Sequence, residues 1–152
     1  IYLLSELDIL NLKYFFISAA FSSLVVSLDV IYQYIFGFNI IGLKSHSHYN
    51  SGFFGDEVIA GGFIKNFSFF LIFFVTFILK SKSNLRFILT SFIICILGAA
   101  IMVSGNRMPL ILFLFGILLV FLFDNQLRKT MLLSLICLFI IFKFLLSSNA
   151  LM

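Results

Sequence analysis

Charged side chains are scarce in this chain, 11% of its 152 residues, and that scarcity excludes an ordinary water-soluble domain. Long polar segments are lacking too. The longest connection between hydrophobic runs, GFNIIGLKSHSHYNSGFFGDE from Gly37 to Glu57, is about 21 residues and contains hydrophobic residues throughout, so no soluble domain fits between the runs. Cysteine occurs twice, as Cys95 and Cys137, both inside apolar runs; they read as small buried hydrophobes rather than as a disulfide or metal pair. Tryptophan is absent while phenylalanine supplies 23 residues, a bias from which nothing specific follows. The opening IYLLSELDILNLK is acidic before it is basic and has no small-residue cleavage site, so it lacks the pattern of a cleavable signal peptide. Internal repeats are not evident.

What remains is hydrophobic: 62% of the residues, with a mean hydropathy of +1.21. Those values identify an all-α polytopic membrane protein, in which helices satisfy their own backbone hydrogen bonds. About five transmembrane helices are expected, at roughly 14–36, 58–79, 85–103, 108–123 and 130–146, in a single transmembrane region covering 1–152. A bilayer core takes about 20 apolar residues, so the last two runs are short. The chain begins with Ile and is expected to be an internal piece of a longer helical bundle. Residues 1–12 read as an interfacial helix or the end of a preceding connection.

Basic residues outnumber acidic ones by 10 to 6, but most flank hydrophobic runs, which points to membrane topology rather than nucleic acid. Lys13, Lys80, Lys82, Arg86, Arg128 and Lys129 share the cytoplasmic side if every run crosses once. The first and third loops, Gly37 to Glu57 and Ser104 to Arg107, then face outward. Lys65 and Lys143 lie inside runs, placed to snorkel outward or, for an anionic ligand, to face a cavity.

Polarity concentrates in three places. Asp29, Tyr32 and Gln33 are spaced to share one side of the first helix, and a carboxylate there faces other helices, water or a polar ligand. In HSHYNSGFFGDE, the residues His46, His48, Asp56 and Glu57 are acid or base candidates. Equally, the two acids suit a solvated helix start, followed by the close-packing pair Gly61 and Gly62. His-x-His with a nearby acid is too common to define a zinc site. Finally, SGNRMP places Arg107 beside a helix beginning, with Gly105 allowing a sharp turn and Pro109 tolerated in the first turn. Ser104, Asn106 and the free backbone donors there suit an anion, and the guanidinium suits phosphate oxygens. This arginine runs against the positive-inside preference.

The ordered combination DVIYQYIFGFNIIG, SGFFGDEVIAGGFI and SGNRMPLILFLFG resembles the O-antigen ligase and oligosaccharide repeat-unit polymerase family of bacterial membrane proteins, over roughly Leu28 to Phe123. Ser104 to Arg107 are similar to the family's Ser-Gly-x-Arg turn. Where many relatives carry an arginine before the Gly-Phe section, this chain has HSHYN, and His48 is the residue placed to substitute for it. The resemblance implies a multi-pass inner-membrane enzyme acting at the periplasmic face. It would transfer or polymerise an oligosaccharide from an undecaprenyl diphosphate donor onto a glycan or lipid A-core acceptor, with no cofactor and in company with polysaccharide assembly proteins. His48, Asp56 and Glu57 are the catalytic candidates; Arg107, Asn106, Ser104, Asp29, Gln33 and Lys65 are the substrate-binding candidates. Two other readings stand beside it: a lipid-linked glycan transporter or flippase with Asp29, Lys65 and Arg107 along its path, and a noncatalytic membrane assembly segment.

Overall fold

The computed structural model describes residues 12–46, 49–79 and 83–149. Each apolar run becomes one helix because a long unbroken hydrophobic segment can satisfy its backbone only internally. In chain order these are α1 (Leu12–Phe36), α2 (Ala60–Ile78), α3 (Ser83–Val103), α4 (Arg107–Phe123) and α5 (Arg128–Asn149), with a short 3-10 turn at Gly52–Phe54. Lys80, Lys82 and the opening segment before Leu12 lie outside the described residues.

Three stretches, Tyr14–Phe36, Ala60–Ile78 and Ser83–Val103, are long and apolar enough to cross a membrane. That is fewer than the five spans expected, although five helices are present among the described residues. Helix α4 has 17 residues, short of the about 20 a bilayer core takes. Helix α5 carries Arg128, Lys129 and Lys143. A multi-pass membrane protein is compatible with this architecture.

Helix α3 occupies the centre, packing on α1, α2 and α5 and touching α4. Its sequence is apolar on every side, as a helix surrounded by neighbours requires. Ile94, Leu97 and Ile101 from α3 meet Ile64 and Ile72 from α2, Phe113 and Ile117 from α4, and Met131 and Leu138 from α5 in one buried cluster. The outside is greasier than a water-facing surface tolerates: Phe77, Phe123 and Phe144 are each more than 70% exposed. Inside, by contrast, lie Ser23, Ser27, Ser68 and Ser134. Their hydroxyls donate to carbonyls of their own helices at 2.6–2.9 Å, so these four serines sit between helices with their donors satisfied, whereas the buried hydroxyls of Thr90 and Ser91 on α3 have no partner. Small polar residues between helices, beside a core of larger apolar ones, and an exposed aromatic exterior suit helix packing within lipid.

One interhelical contact escapes sequence periodicity. The thiol of Cys95 on α3 meets that of Cys137 on α5, both half-buried and unbridged. The two cysteines are apolar packing residues, as their sequence context suggests, but they are also neighbours.

Candidate functional site

The C-terminus of α1, the N-terminus of α2 and the α3–α4 turn meet at one end of the bundle. The connection 37–59 covers that end, and its polar side chains determine its course. After Phe36 the chain turns at Gly37, whose N–H still bonds to the Gln33 carbonyl at 2.9 Å. It then forms a tight hairpin with Phe38 bridged to Lys44. Asn39 is fully buried and organises the tip. Its Oδ1 accepts from the Ile41 and Leu43 N–H groups at 3.1 and 2.7 Å, while its Nδ2 donates to the Gly52 carbonyl at 2.8 Å. An asparagine between two nearby glycines is the local signal for such a turn, and it was the residue that sequence reading missed.

Asp29 and Gln33 are also fully buried. Asp29 Oδ1 accepts the Ile40 N–H at 3.0 Å. Gln33 Oε1 accepts the Gly52 N–H at 2.8 Å and its Nε2 donates to the Leu43 carbonyl at 3.3 Å. The expected shared side of α1 therefore exists, but Tyr32 leaves it to join Phe36 and Phe38 in an aromatic group, with centroid separations of 4.4–6.4 Å. Asp29 and Gln33 hold backbone, which is a structural task. Gly52 completes the fit: at φ +57°, a Cβ there would lie 2.9 Å from Val30 Cγ2 and 3.0 Å from Asp29 Oδ2. Only glycine accepts both the backbone angle and the space.

The second limb joins the loop to SGNRMP. Asn50 Nδ2 donates to the Val103 carbonyl at the end of α3 at 2.7 Å, filling a helix-end acceptor that has no partner within the helix. Asn106 Nδ2 donates to the Val58 carbonyl at 3.3 Å. Gly61 lies so close to Ser104 that a Cβ would strike its hydroxyl, whereas Gly62 faces open space. The expected close-packing pair is thus one residue, Gly61. Ser104 is buried and donates to the Ile101 carbonyl at 2.7 Å. Gly105 takes φ +80° to make the turn, and Pro109 is buried in the first turn of α4.

Arg107 begins α4 and is exposed. Asn106 stands at the cap position, but its side chain makes no bond to the helix's first N–H groups; its amide is committed to Val58 instead. The turn therefore presents a guanidinium beside a helix beginning whose donors lack a side-chain cap, an arrangement suited to anionic oxygens. Glu57 is exposed next to Val58, so Glu57 and Arg107 each adjoin one partner of the same hydrogen bond. Asp56 is almost wholly exposed, and its Oδ1 lies 3.3 Å from His46 Nε2. The His46 ring stacks on Tyr49 with centroids 4.4 Å apart. Lys65 is half-buried on α2, at the sixth residue of that helix.

The nine candidates thus separate. Asp29, Gln33 and Ser104 are enclosed and make internal hydrogen bonds; Asp56, Glu57 and Arg107 are accessible at the same end, with Asn106 joining the two groups of residues and Lys65 standing apart on α2. His48 lies outside the described residues. Among the described residues no three of His, Cys, Asp and Glu converge as metal ligands would. In comparisons with known proteins, no family model, curated sequence or solved structure matches the chain.

Proposed function

We propose that this chain is the membrane-embedded portion of a bacterial glycan-transfer enzyme, of the O-antigen ligase or repeat-unit polymerase kind, working at the end where the loop 37–59 meets the α3–α4 turn. The observation that carries the reading is the exposed Arg107 at an uncapped helix beginning. In such a reaction the acceptor hydroxyl attacks the anomeric carbon of the lipid-linked oligosaccharide. A new C–O bond forms, the bond to undecaprenyl diphosphate breaks, and the hydroxyl proton leaves. Negative charge grows on the departing diphosphate, where the guanidinium and the α4 N–H groups stabilise it. Glu57 and Asp56 are the described carboxylates available to take the proton. A glycan or lipid A-core hydroxyl is the acceptor, and polysaccharide assembly proteins are the partners.

This reading includes five crossings of the bacterial inner membrane. Helix α4 crosses despite its length through local thinning of the bilayer, and the loop and the α3–α4 turn face the periplasm. Support comes from Arg86, Arg128 and Lys129, which all lie at the opposite helix ends, against Lys44 and Arg107 at the loop end. Cysteines introduced at exposed Asp56 and Asn125, in a chain without Cys95 and Cys137, provide the topology test. In intact cells an impermeant thiol reagent should modify the first and reach the second only after permeabilisation; the reverse order refutes the orientation.

The activity test uses the full-length protein in proteoliposomes with labelled undecaprenyl diphosphate oligosaccharide and an acceptor. A new glycosidic linkage is expected. Movement of donor across the bilayer without linkage would replace the enzyme reading with a transporter. Arg107→Ala should lower transfer on the order of a hundredfold, the scale of losing one charge-stabilising donor, with Arg107→Lys retaining part of the rate.

A further inference from the structure

Helix α1 ends at Phe36, yet Ile40 N–H bonds to Asp29 Oδ1 at 3.0 Å. Asp29 is seven residues before that end, about 10 Å back along the axis at 1.5 Å per residue. Gly52 returns to the same level, since a Cβ on it would meet Val30 and Asp29. The hairpin therefore runs back down the side of α1 rather than rising from its end. Phe36, Ile40 and Ile41 are exposed, the two isoleucines by 67% and 68%. They continue the apolar surface presented by Tyr34 and Ile35 on the last turns of α1.

Backbone placed at such depth must find its hydrogen bonds without water, and the N–H groups at the tip of this hairpin do. The five consecutive N–H groups from Asn39 to Leu43 are all bonded. Asn39 donates to the Leu43 carbonyl and Gly42 to the Asn39 carbonyl, both at 2.9 Å. Ile40 donates to Asp29, and Ile41 and Leu43 donate to the Asn39 side chain. A carboxyl enclosed within a span is costly, and here its one bonded oxygen serves a backbone donor of the turn. A turn inside the bilayer needs every donor satisfied.

We infer that the hairpin Gly37 to Ser45 is a re-entrant element inserted into the bilayer leaflet at this end, with Ile40 and Ile41 against lipid acyl chains. Asp29 acts as the pin that holds it at depth. The inference stands on the hairpin's geometry and not on any role for Arg107.

The test places a nitroxide on Ile41→Cys in the full chain lacking Cys95 and Cys137, reconstituted in phosphatidylethanolamine and phosphatidylglycerol vesicles. References are labels at Phe115→Cys on the exposed side of α4 and at Asp56→Cys. At Ile41, collisions with dioxygen should exceed those with a water-soluble nickel chelate severalfold, matching Phe115 and opposite to Asp56. Dominant nickel collisions would mean an aqueous hairpin and overturn the inference. Low collision rates with both reagents would overturn it in favour of contact with a protein partner or a second copy. Asp29→Leu should shift the Ile41 label toward the aqueous signature, whereas Asp29→Asn, which keeps an acceptor oxygen, should not. An unchanged signal in Asp29→Leu overturns the pinning role.

Discussion

The two ends of the bundle solve the same backbone problem by opposite means. At the α4–α5 connection the polar groups are short-range and solvent-facing. Asp124 Oδ1 accepts from the Gln126 and Leu127 N–H groups at 2.8 and 3.2 Å. Arg128 returns to the end of α4, with Nε 3.2 Å from the Phe121 carbonyl and its guanidinium over the Phe121 ring. At the loop end, Asp29, Gln33, Asn39 and Asn50 are buried and reach 10 to 53 residues along the chain. Ordinary caps next to water are enough to end a helix. Buried amides and a carboxyl become necessary when the chain must fold back against the helix it has just left.

This contrast predicts unequal responses to substitution. The largest effect is expected for Asn39→Ala, which strands the Ile41 and Leu43 donors and the Gly52 carbonyl. With about 1–3 kcal/mol for the buried Gly52 carbonyl left unpaired and less for each of the two part-buried donors, roughly 2–4 kcal/mol of stability should be lost in a detergent-micelle unfolding titration. A loss below about 1 kcal/mol would erase the distinction between the ends. Gly52→Ala comes next. Strain at its positive φ costs about 1–3 kcal/mol, and the collision with Val30 and Asp29 should release the loop to limited proteolysis.

Helix contact at the loop end should show as coupling. Gly61→Ala destabilises by collision with Ser104, and Ser104→Gly should restore part of the loss, giving a coupling energy of about 0.5–3 kcal/mol in a double-mutant cycle. Strict additivity would mean that these two positions do not touch. At the opposite end Asp124→Ala should cost only about 1 kcal/mol, the ordinary value of a lost cap. Arg128→Ala should be smaller still, about 0.5–1 kcal/mol for an exposed cation over a ring, measured by the same titration.

How far the sequence discloses this architecture depends on the kind of information each feature requires. Helix positions follow from unbroken apolar runs, and the observed ends of α1 to α5 fall close to those runs. The pairing of Asp29 with Gln33 follows from one helical turn of spacing. Asn39 as the organising residue is only locally hinted at by its glycines, because its bonds to Gly52 and to the tip appear only once the hairpin folds back. The meeting of Cys95 and Cys137 is not encoded locally at all. Helices that are apolar on every side carry little periodicity to indicate which face meets which neighbour, so rotation and register are set by tertiary packing. Among the site candidates, sequence chemistry found polar residues but not their division of labour: Asp29 and Arg107 are both charged residue types in a hydrophobic chain, yet one is enclosed by backbone and the other is free at the surface.

Asn50 bound to Val103, Asn106 bound to Val58, and Gly61 seated on Ser104 have a mechanical consequence. The first ties the long connection to the end of α3, the second ties the short turn to that connection, and the third seats α2 on the same turn, so the segments at this end brace one another. The end that displays the exposed Arg107 is thus a braced floor beneath an accessible side chain.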